Sequence, residues 1–572
     1  MKKLIALLLA LVMVVGVLAG CNDTKPEETK NNETKPVNDT KPVDTQPAGP
    51  TESETPLQIH WDQGIGVDTL FENPYQNDSL MYATFMIWDR PGSWNDQTKE
   101  WELHVASDWG HNEDNTLYWF SIRDDVKWHD GEPVTLEDAK WSVDQALLNT
   151  GNTAGHSGFQ YVEGYNACRN GEADTLTGCY IEGDKIYFKL TTPQADWRGW
   201  NMWLLPKHCF EGIAWADINT SDYFKKPIGC GPYIITDVNF PDFFNMTRFD
   251  GYYGAPAGIK NVVCKNYTSA GSDALQAALV AGELDVGTRT ITTDASIANT
   301  IIAQNSDVKS NSMVAYNMRC WVFNLGQRAD GKVKADLQKK EVRQAIALLI
   351  DEVVMAEMAL AEPSKTMCAA FGAEYYNGFD SDPSFDPATA KKMLQDAGFD
   401  FSQTIDLAAY YTDQTTADLM ELLKQNFAEA GVNISTRIIT ENAGEELYTL
   451  SNFDLIYAQA GAGEGKSTNG LSQMTSSRSY KFICQEGSDM YAYLAERYDA
   501  LYDQYNAAPD YSEERMKIAH ELQKMAYEDA VMIACYANPT IMVYNSARVY
   551  IPDEDFDRND SNWHFDQWKM LA

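Results

Sequence analysis

LYWFSIRDDVKWHDGEPVTLEDA, residues 117–139, is the stretch of this chain that decides its fold. Residues 117–123 predict a strand, because Tyr118, Phe120 and Ile122 fall on one face at a spacing of two. Thr135 then predicts the N-cap of a helix, with Glu137 and Asp138 in the first turn, where carboxylates favour the helix dipole. A strand, a turn and a capped helix in immediate succession indicate mixed α/β structure.

Three further helices are marked by their ends. Asp386 followed by Pro387 predicts a helix start, because Asp caps a helix and Pro fits its first turn. A leucine stripe that stops at Gly431 predicts a second helix, with a strand over residues 432–438 after it. Ser512 caps the third. The 572 residues suffice for two or three domains, and the alternating elements indicate an α/β fold.

The N-terminus carries an export signal. Lys2 and Lys3 precede an apolar run over residues 4–18, and Leu-Ala-Gly-Cys closes the run at Cys21. A basic start, an apolar core and a small-residue cleavage site are typical of a secretory signal peptide, and the run is short for a membrane span. The closing tetrapeptide resembles a bacterial lipobox. We therefore expect residues 1–20 to be removed and Cys21 to carry a lipid, which places the protein on the extracellular face of the cell membrane. The alternative is a plain signal peptide that contains a cysteine.

Residues 21–56 predict a flexible tether. A polar tetrapeptide, Asp/Glu-Thr-Lys-Pro, recurs at 23–26, 33–36 and 39–42. The segment has too few apolar residues to bury a core, and its prolines oppose helix formation. We expect a lipidated cysteine followed by a disordered linker, with the folded body beginning near Leu57.

Composition and charge argue against several classes of partner. The net charge of −38 opposes nucleic acid binding, which needs clustered Lys and Arg, and it opposes electrostatic docking on anionic lipids. Ten cysteines are too few for a disulfide framework in a chain of this length. Cys168 with Cys179, and less clearly Cys209 with Cys230, are candidate pairs. Because no Cys-x-x-Cys spacing is present, the sequence predicts no metal site and no cofactor.

Catalytic signatures are missing from the sequence. It contains no Gly-x-Ser-x-Gly elbow and no His-Glu-x-x-His helix. His129 follows a strand in a tight turn and is interpreted as a turn-stabilising residue rather than a catalytic one. We therefore expect that the protein is not an enzyme and that it has no catalytic residue. Fifteen Trp and thirty Tyr are the remaining signal, because flat apolar rings that are not needed in the core bind peptides and sugars.

Seven segments, in the same order, resemble the family 5 extracellular solute-binding proteins, which include the oligopeptide- and dipeptide-binding components of bacterial ABC importers. The resemblance extends from about residue 105 to residue 538. The segments are 105–109 (VASDW), 117–139, 205–208 (LPKH), 227–233 (PIGCGPY), 281–285 (AGELD), 323–351 and 385–398.

The resemblance implies a two-lobed periplasmic-binding-protein-like α/β fold with a hinge and an extra N-terminal subdomain. Lobe one is expected at 57–310 with the subdomain inserted at about 75–200, lobe two at 311–530, and the return to lobe one at 531–572. It also implies closure of the lobes on a ligand, delivery to a permease and ATPase, and a monomer.

One departure from the family bears on the ligand. After the Phe-Asp-Leu at residues 453–455, peptide-binding members carry an Asp that meets the α-ammonium group of the peptide. This chain has Tyr-Ala-Gln-Ala-Gly-Ala-Gly-Glu at 457–464 instead, so Glu464 is the candidate replacement or a solvated loop residue. The residues expected to line the cleft are Trp321, Asn324, Tyr410, Gln459 and Glu464.

Three hypotheses about function follow from these observations. The leading one is a lipid-anchored receptor of an ABC importer that binds oligopeptides, and an oligosaccharide or another small solute is the alternative ligand. A secreted hydrolase predicts turnover and an oriented nucleophile or metal. A structural surface lipoprotein predicts no ligand cleft.

Overall fold

The computed structural model describes residues 54–571 with internal gaps. The gaps are 62–69, 72, 75–80, 96–99, 148–157, 196, 198, 201, 268–271, 288–294, 314–316, 327, 329–333, 361–384, 412, 441–445, 462–473, 477–482, 510–511, 538–539, 553–554 and 556–563.

The strands of the described residues are named β1 to β20 in chain order. They are β1 (Leu57–Trp61), β2 (Gly92–Asn95), β3 (Glu100–Leu103), β4 (Ala106–His111), β5 (Leu117–Ile122), β6 (Cys179–Glu182), β7 (Lys185–Lys189), β8 (Tyr233–Asn239), β9 (Phe243–Arg248), β10 (Asn261–Asn266), β11 (Val286–Gly287), β12 (Val308–Met313), β13 (Asn317–Phe323), β14 (Thr404–Ala409), β15 (Asn433–Ile438), β16 (Leu455–Gly461), β17 (Met532–Ala537), β18 (Thr540–Asn545), β19 (Val549–Tyr550) and β20 (Lys569–Met570).

The α-helices are named in the same way. They are α1 (Met81–Ile87), α2 (Leu136–Trp141), α3 (Tyr165–Arg169), α4 (Ser272–Ala281), α5 (Ala295–Gln304), α6 (Lys340–Ala347), α7 (Glu352–Leu360), α8 (Pro387–Asp396), α9 (Gln414–Ala430), α10 (Asp489–Leu494), α11 (Ala500–Ala507) and α12 (Glu513–Asp529).

The strand and helix predicted within residues 117–139 are confirmed as β5 and α2. Thr135 caps α2 in a capping box: the Asp138 N–H donates to Thr135 Oγ1 at 3.2 Å, and the Thr135 N–H donates to Asp138 Oδ2 at 2.9 Å. Two backbone donors that a helix start leaves unpaired are thereby satisfied. Tyr118 and Phe120 point from β5 into the core.

The other predicted helix ends are also confirmed. Asp386 caps α8 with Pro387 in its first turn, and Ser512 caps α12. Gly431 ends α9 in the left-handed conformation, with φ of 79°. The strand predicted after it is β15. Helix ends follow local sequence so closely because their partners lie within about four residues.

Three sheets organise the described residues. A seven-stranded sheet has the order β12-β18-β11-β1-β10-β9-β8, and a five-stranded sheet has the order β15-β14-β16-β13-β17. A four-stranded antiparallel sheet, β4-β5-β7-β6, lies within the segment for which an inserted subdomain was expected. The pairs β2-β3 and β19-β20 form two further, two-stranded sheets.

Two separate hydrophobic cores divide the described chain into two lobes. The core of the second lobe draws its buried residues from 318–536 and surrounds the five-stranded sheet. The core of the first lobe draws on 57–286 and 542–568 and includes the four-stranded sheet. On β18, Met542 joins this core, while Ile541 and Val543 face a smaller core with α4 and α5, because strand side chains alternate between faces.

The chain crosses between the lobes twice, at neighbouring positions. In the seven-stranded sheet β12 pairs with β18, with Met313 opposite Thr540. In the five-stranded sheet β13 pairs with β17, with Met318 opposite Ala537. The crossings therefore lie between β12 and β13 and between β17 and β18. Strand β17, which was expected in the return to lobe one at 531–572, belongs to the second lobe.

The predicted cysteine pairs are wrong. Cys168, Cys179, Cys209 and Cys230 are all free thiols. Burial raises the pKa of the Cys179 and Cys230 thiols, so both are protonated and packed as small apolar groups. Among the helices described here, none combines the length and the apolar character needed to cross a bilayer.

Candidate functional site

The carboxyl ends of four strands lie at one edge of the five-stranded sheet, an arrangement that is typical of binding sites. Strand β14 runs parallel to β15 and β16, whereas β13 runs antiparallel to β16 and β17. The carboxyl ends of β14, β15, β16 and β17 therefore meet beside the start of β13. Both crossings between the lobes leave from this same edge. In α/β sheets, ligands bind in the crevice outside the carboxyl ends of the strands.

Arg319 is the charged residue at this edge. It lies on β13 opposite Gln459 of β16 and opposite Tyr536 of β17, and its side chain is only 8% exposed. Its guanidinium carbon lies 3.6 Å from the ring centroid of Tyr411 and 5.9 Å from that of Tyr457. Burial opposes the charge and the neighbouring tyrosines favour it, with the net effect that the pKa of Arg319 is raised.

Arg319 has no acidic partner among the residues described. Its Nη1 is buried without a hydrogen-bond acceptor, and no carboxylate of the described chain forms an ion pair with it. Asp413, the N-cap of α9, is the nearby acid that acts on Tyr536, but it is exposed and accepts from the Thr416 N–H at 2.8 Å. An unpaired buried cation costs several kcal/mol, so this position is suited to an incoming anion.

Four tyrosines surround the guanidinium in two hydrogen-bonded pairs. The hydroxyls of Tyr410 and Tyr411 are 2.9 Å apart, and those of Tyr457 and Tyr536 are 2.6 Å apart. Burial raises all four pKa values, those of Tyr411 and Tyr536 to about 12. Near neutral pH the four phenols are therefore neutral hydrogen-bond donors. We call Arg319, these four tyrosines and Gln459 the Arg319 site.

Trp321 packs against this site from the core of the second lobe. It is two residues along β13 from Arg319, it is fully buried, and its ring centroid lies 5.2 Å from that of Tyr457. Its indole N–H has no hydrogen-bond partner in the described structure. Trp321 therefore belongs to the core of the second lobe, directly beneath the tyrosines.

Of the residues predicted to line the cleft, Tyr410 and Gln459 come together at the Arg319 site. Both are half-buried, and Tyr410 directly follows β14. Glu464 lies outside the described residues. In the sequence it comes three residues after the end of β16 at Gly461.

Asn324 is not brought to this edge. It follows the opposite end of β13, where its Nδ2 donates to the backbone oxygens of Ser451 and Phe453 at 2.7 and 2.9 Å. Its own N–H donates to the oxygen of Asp454 at 2.8 Å. These bonds hold the turn before β16, which gives Asn324 a structural role away from the Arg319 site.

Arg319 was not among the residues predicted from the sequence to line the cleft. The signal is present: in β13, Asn-Met-Arg-Cys-Trp-Val-Phe, a single charged side chain occupies a strand that is otherwise almost wholly apolar. Because Arg319 and Trp321 share a face, the arginine either pairs with an acid inside the protein or awaits one. Its partners lie on β16 and β17 and directly after β14, and no local sequence pattern shows that these segments meet.

Comparisons with known proteins give the family and the fold of the chain. A family model described as bacterial extracellular solute-binding proteins, family 5 middle, matches residues 100–482. The dipeptide-binding protein of Escherichia coli K12 is 23% identical over 371 residues, which cover 60% of this chain and 64% of that protein. The nickel-binding periplasmic protein of the same organism is 23% identical over 355 residues, 58% of this chain and 62% of the relative. Each match thus spans less than two thirds of the relative.

Solved structures resemble almost the whole described fold. The ABC transporter substrate-binding protein CtaP of Listeria monocytogenes superposes with a TM-score of 0.70 at 20% identity, covering 91% of this chain and 99% of that one. The oligopeptide-binding protein AppA of Bacillus subtilis, solved with a nonapeptide, gives 0.69 at 18% identity and the same coverage. The predicted two-lobed α/β fold is confirmed.

Proposed function

This chain belongs to the bacterial extracellular solute-binding proteins of family 5, and on that premise we propose that it captures peptides for an ABC importer. Closure of the two lobes around the Arg319 site would hold the peptide for delivery to a permease and its ATPase. The observation that carries the proposal is the buried, unpaired guanidinium of Arg319 at the carboxyl edge of the second sheet.

A peptide supplies the negative charge that Arg319 lacks. Its terminal carboxylate can accept two parallel hydrogen bonds from a guanidinium and further bonds from tyrosine hydroxyls. The rings of Tyr411 and Tyr457 flank the cation and offer apolar surface to the peptide beside it. A neutral oligosaccharide stacks on the same rings but leaves Arg319 without a counter-charge, which makes it the second candidate.

The opposite end of the peptide needs an acid. We assign the α-ammonium group to Glu464, which comes three residues after the end of β16 in the sequence, with Gln459 of β16 as a neutral hydrogen-bonding group. Trp321 supports the site without touching the ligand. Asn324 has no part in this assignment.

The family and the signal sequence support a proposal for location and partners. Proteins of this family work outside the cytoplasmic membrane. We propose that the lipid on Cys21 and the tether of residues 21–56 hold this one, as a monomer, on the extracellular face of the cell membrane. Capture and release involve no covalent step, so no catalytic residue is assigned.

Calorimetric titration tests the ligand assignment. Short peptides with free carboxyl termini, the same peptides amidated, and neutral oligosaccharides are titrated into the protein. We expect binding of the free-acid peptides, at least about 30-fold weaker binding of the amidated ones, and a similar loss in Arg319→Gln, because truncating one partner of a buried charge pair costs about 2 kcal/mol or more. Arg437→Gln is the matched control, since Arg437 lies on β15 of the same sheet but is already paired with Glu446.

Stability of the ligand-free variant separates binding from folding. Arg319→Gln removes an unpaired buried charge, so its unfolding midpoint should equal or exceed that of the parent protein. Binding of sugars but not peptides would overturn the ligand while leaving the family intact. Undiminished peptide binding by Arg319→Gln would exclude the guanidinium as the anchor.

A further inference from the structure

Three metal-ligating side chains converge in the first lobe, away from the Arg319 site. Asp130 lies in the turn between β5 and α2, and His208 and Cys209 lie in the short 3-10 helix Lys207–Phe210. One ligand atom from each side chain lies within 4.8 Å of the other two. His208 Nε2 is 2.8 Å from Asp130 Oδ2. The three residues therefore present an oxygen, a nitrogen and a sulfur to one point.

The turn that carries Asp130 is fixed by its own hydrogen bonds. The Trp128 N–H donates to the oxygen of Glu132 at 2.8 Å, and the Gly131 N–H donates to the oxygen of Trp128 at 2.9 Å. The Glu132 N–H donates to Asp130 Oδ1 at 3.2 Å. This last bond orients the carboxylate, so that Oδ2 faces His208.

Hydrogen bonds also fix the position of the 3-10 helix. The Lys207 N–H donates to Asp138 Oδ1 at 2.9 Å, which ties the helix start to the capping box of α2. The Cys209 N–H donates to the oxygen of Pro206 at 3.0 Å. Both ligand-bearing segments are thus held in place by bonds that do not involve the three ligand atoms, as a preorganised site requires.

The donor set identifies the class of cation. A thiolate with an imidazole and a carboxylate suits zinc and similar borderline divalent ions, whereas calcium and magnesium prefer oxygen ligands alone. Asp130 is exposed, and His208 and Cys209 are half-buried, so an ion can enter from solvent. We propose that Asp130, His208 and Cys209 bind a zinc ion, with its fourth coordination position open to water.

Such an ion would join two separate segments of the first lobe. It would link the turn after β5 to the 3-10 helix that precedes β8, next to the packed rings of Trp128 and His208, whose centroids are 6.5 Å apart. A ligand that binds only the folded state stabilises it, by about 2.7 kcal/mol at a hundredfold excess over its dissociation constant. The proposal does not rest on peptide capture, because none of its three residues belongs to the Arg319 site.

Metal titration of the full chain tests the proposal. Zinc chloride is added to metal-free protein while thermal unfolding is followed, and cadmium chloride is added while the ultraviolet absorption of the thiolate–cadmium bond is recorded. We expect zinc to raise the unfolding midpoint and cadmium to produce the absorption band. Cys209→Ser should abolish the band, and both Cys209→Ser and His208→Gln should weaken zinc binding at least about tenfold, since loss of even an outer partner of a metal ligand costs that much.

Cys168→Ser is the matched control, because Cys168 is also a half-buried free thiol of the first lobe but lies outside the cluster. It should bind both metals as the parent protein does. Circular dichroism of the metal-free variants checks that each one is folded, and His208→Gln keeps the thiol in case Cys209→Ser is not. An unchanged zinc response in both cluster variants, or no response of the parent protein to either metal, overturns the proposal.

Discussion

His129 has both of its ring nitrogens bonded to backbone groups of one distant loop. The Gly229 N–H donates to Nδ1 at 3.1 Å, and Nε2 lies 3.0 Å from the oxygen of Gly231. This arrangement requires a neutral ring with its proton on Nε2. Burial, partly offset by the bond to Gly231 and by the charge of Asp130, lowers the pKa of His129 to about 4. His129 therefore ties the turn after β5 to the loop that contains Gly229 and Gly231.

This histidine makes stability depend on pH. Its pKa is near 6.5 in the unfolded chain and about 4 in the folded one, so the unfolded state binds the extra proton between these values. Its contribution, about 3 kcal/mol, is complete above pH 6.5 and is lost as the pH falls toward 4. Urea unfolding at pH 7 and pH 5 should show a smaller pH dependence in His129→Gln than in the parent protein. The exposed His111→Gln serves as control, and equal pH dependence in all three proteins would contradict this account.

Helix α9 begins beside the Arg319 site and ends at a residue that only glycine fits without strain. Gly431 has φ of 79°, and a Cβ added there would meet only Lys391 Nζ, at 3.7 Å. The space is open, so any cost of a side chain at this position comes from the backbone conformation alone.

The backbone cost at this helix end is measurable. Gly431→Ala should lower the free energy of unfolding by about 1–2 kcal/mol, because the left-handed conformation brings Cβ close to the next carbonyl oxygen. Gly431→Asn should cost less, since asparagine tolerates this conformation. Chemical denaturation of both variants gives the comparison. Equal losses for Ala and Asn would point to a contact made by the side chain rather than to the backbone.

The elements of this protein were predictable to different degrees. Helix ends such as Asp386, Gly431 and Ser512 follow from the sequence because a cap and its partners lie a few residues apart. The Arg319 site does not follow from the sequence, because its members lie on three strands and directly after a fourth, and the order of these strands is set by long-range pairing. Asn324 was misplaced for the same reason, since periodicity cannot say which end of β13 faces the crossings.

A direct contact also links the lobes. The Ala195 N–H of the first lobe donates to the oxygen of Asn506 on α11 of the second, at 3.1 Å. Ala195 is held in place through its neighbour Gln194, whose oxygen accepts from the Tyr118 hydroxyl at 2.5 Å and whose N–H donates to the oxygen of Asn115. This contact lies outside the two crossings, so it marks where the lobes meet.

Ligand binding should change the dimensions of the whole molecule. Because the lobes are joined through two adjacent crossings, a peptide at the Arg319 site should favour the state in which Ala195 meets Asn506. Small-angle scattering should show a smaller radius of gyration with a bound peptide than without one. Arg319→Gln at the same peptide concentration should keep the ligand-free dimensions, and an unchanged radius in the parent protein would exclude closure.

The adjacent crossings have a consequence for the history and the engineering of the chain. Everything between them, residues 317–537, is one continuous segment that contains its own core and leaves and returns on neighbouring strands, Met318 opposite Ala537. Such a segment is a cassette: its two ends are close enough to be grafted into one loop of a host. Replacing it with the corresponding cassette of a relative would exchange the Arg319 site while keeping the first lobe, so ligand preference could be inherited separately from the rest of the protein.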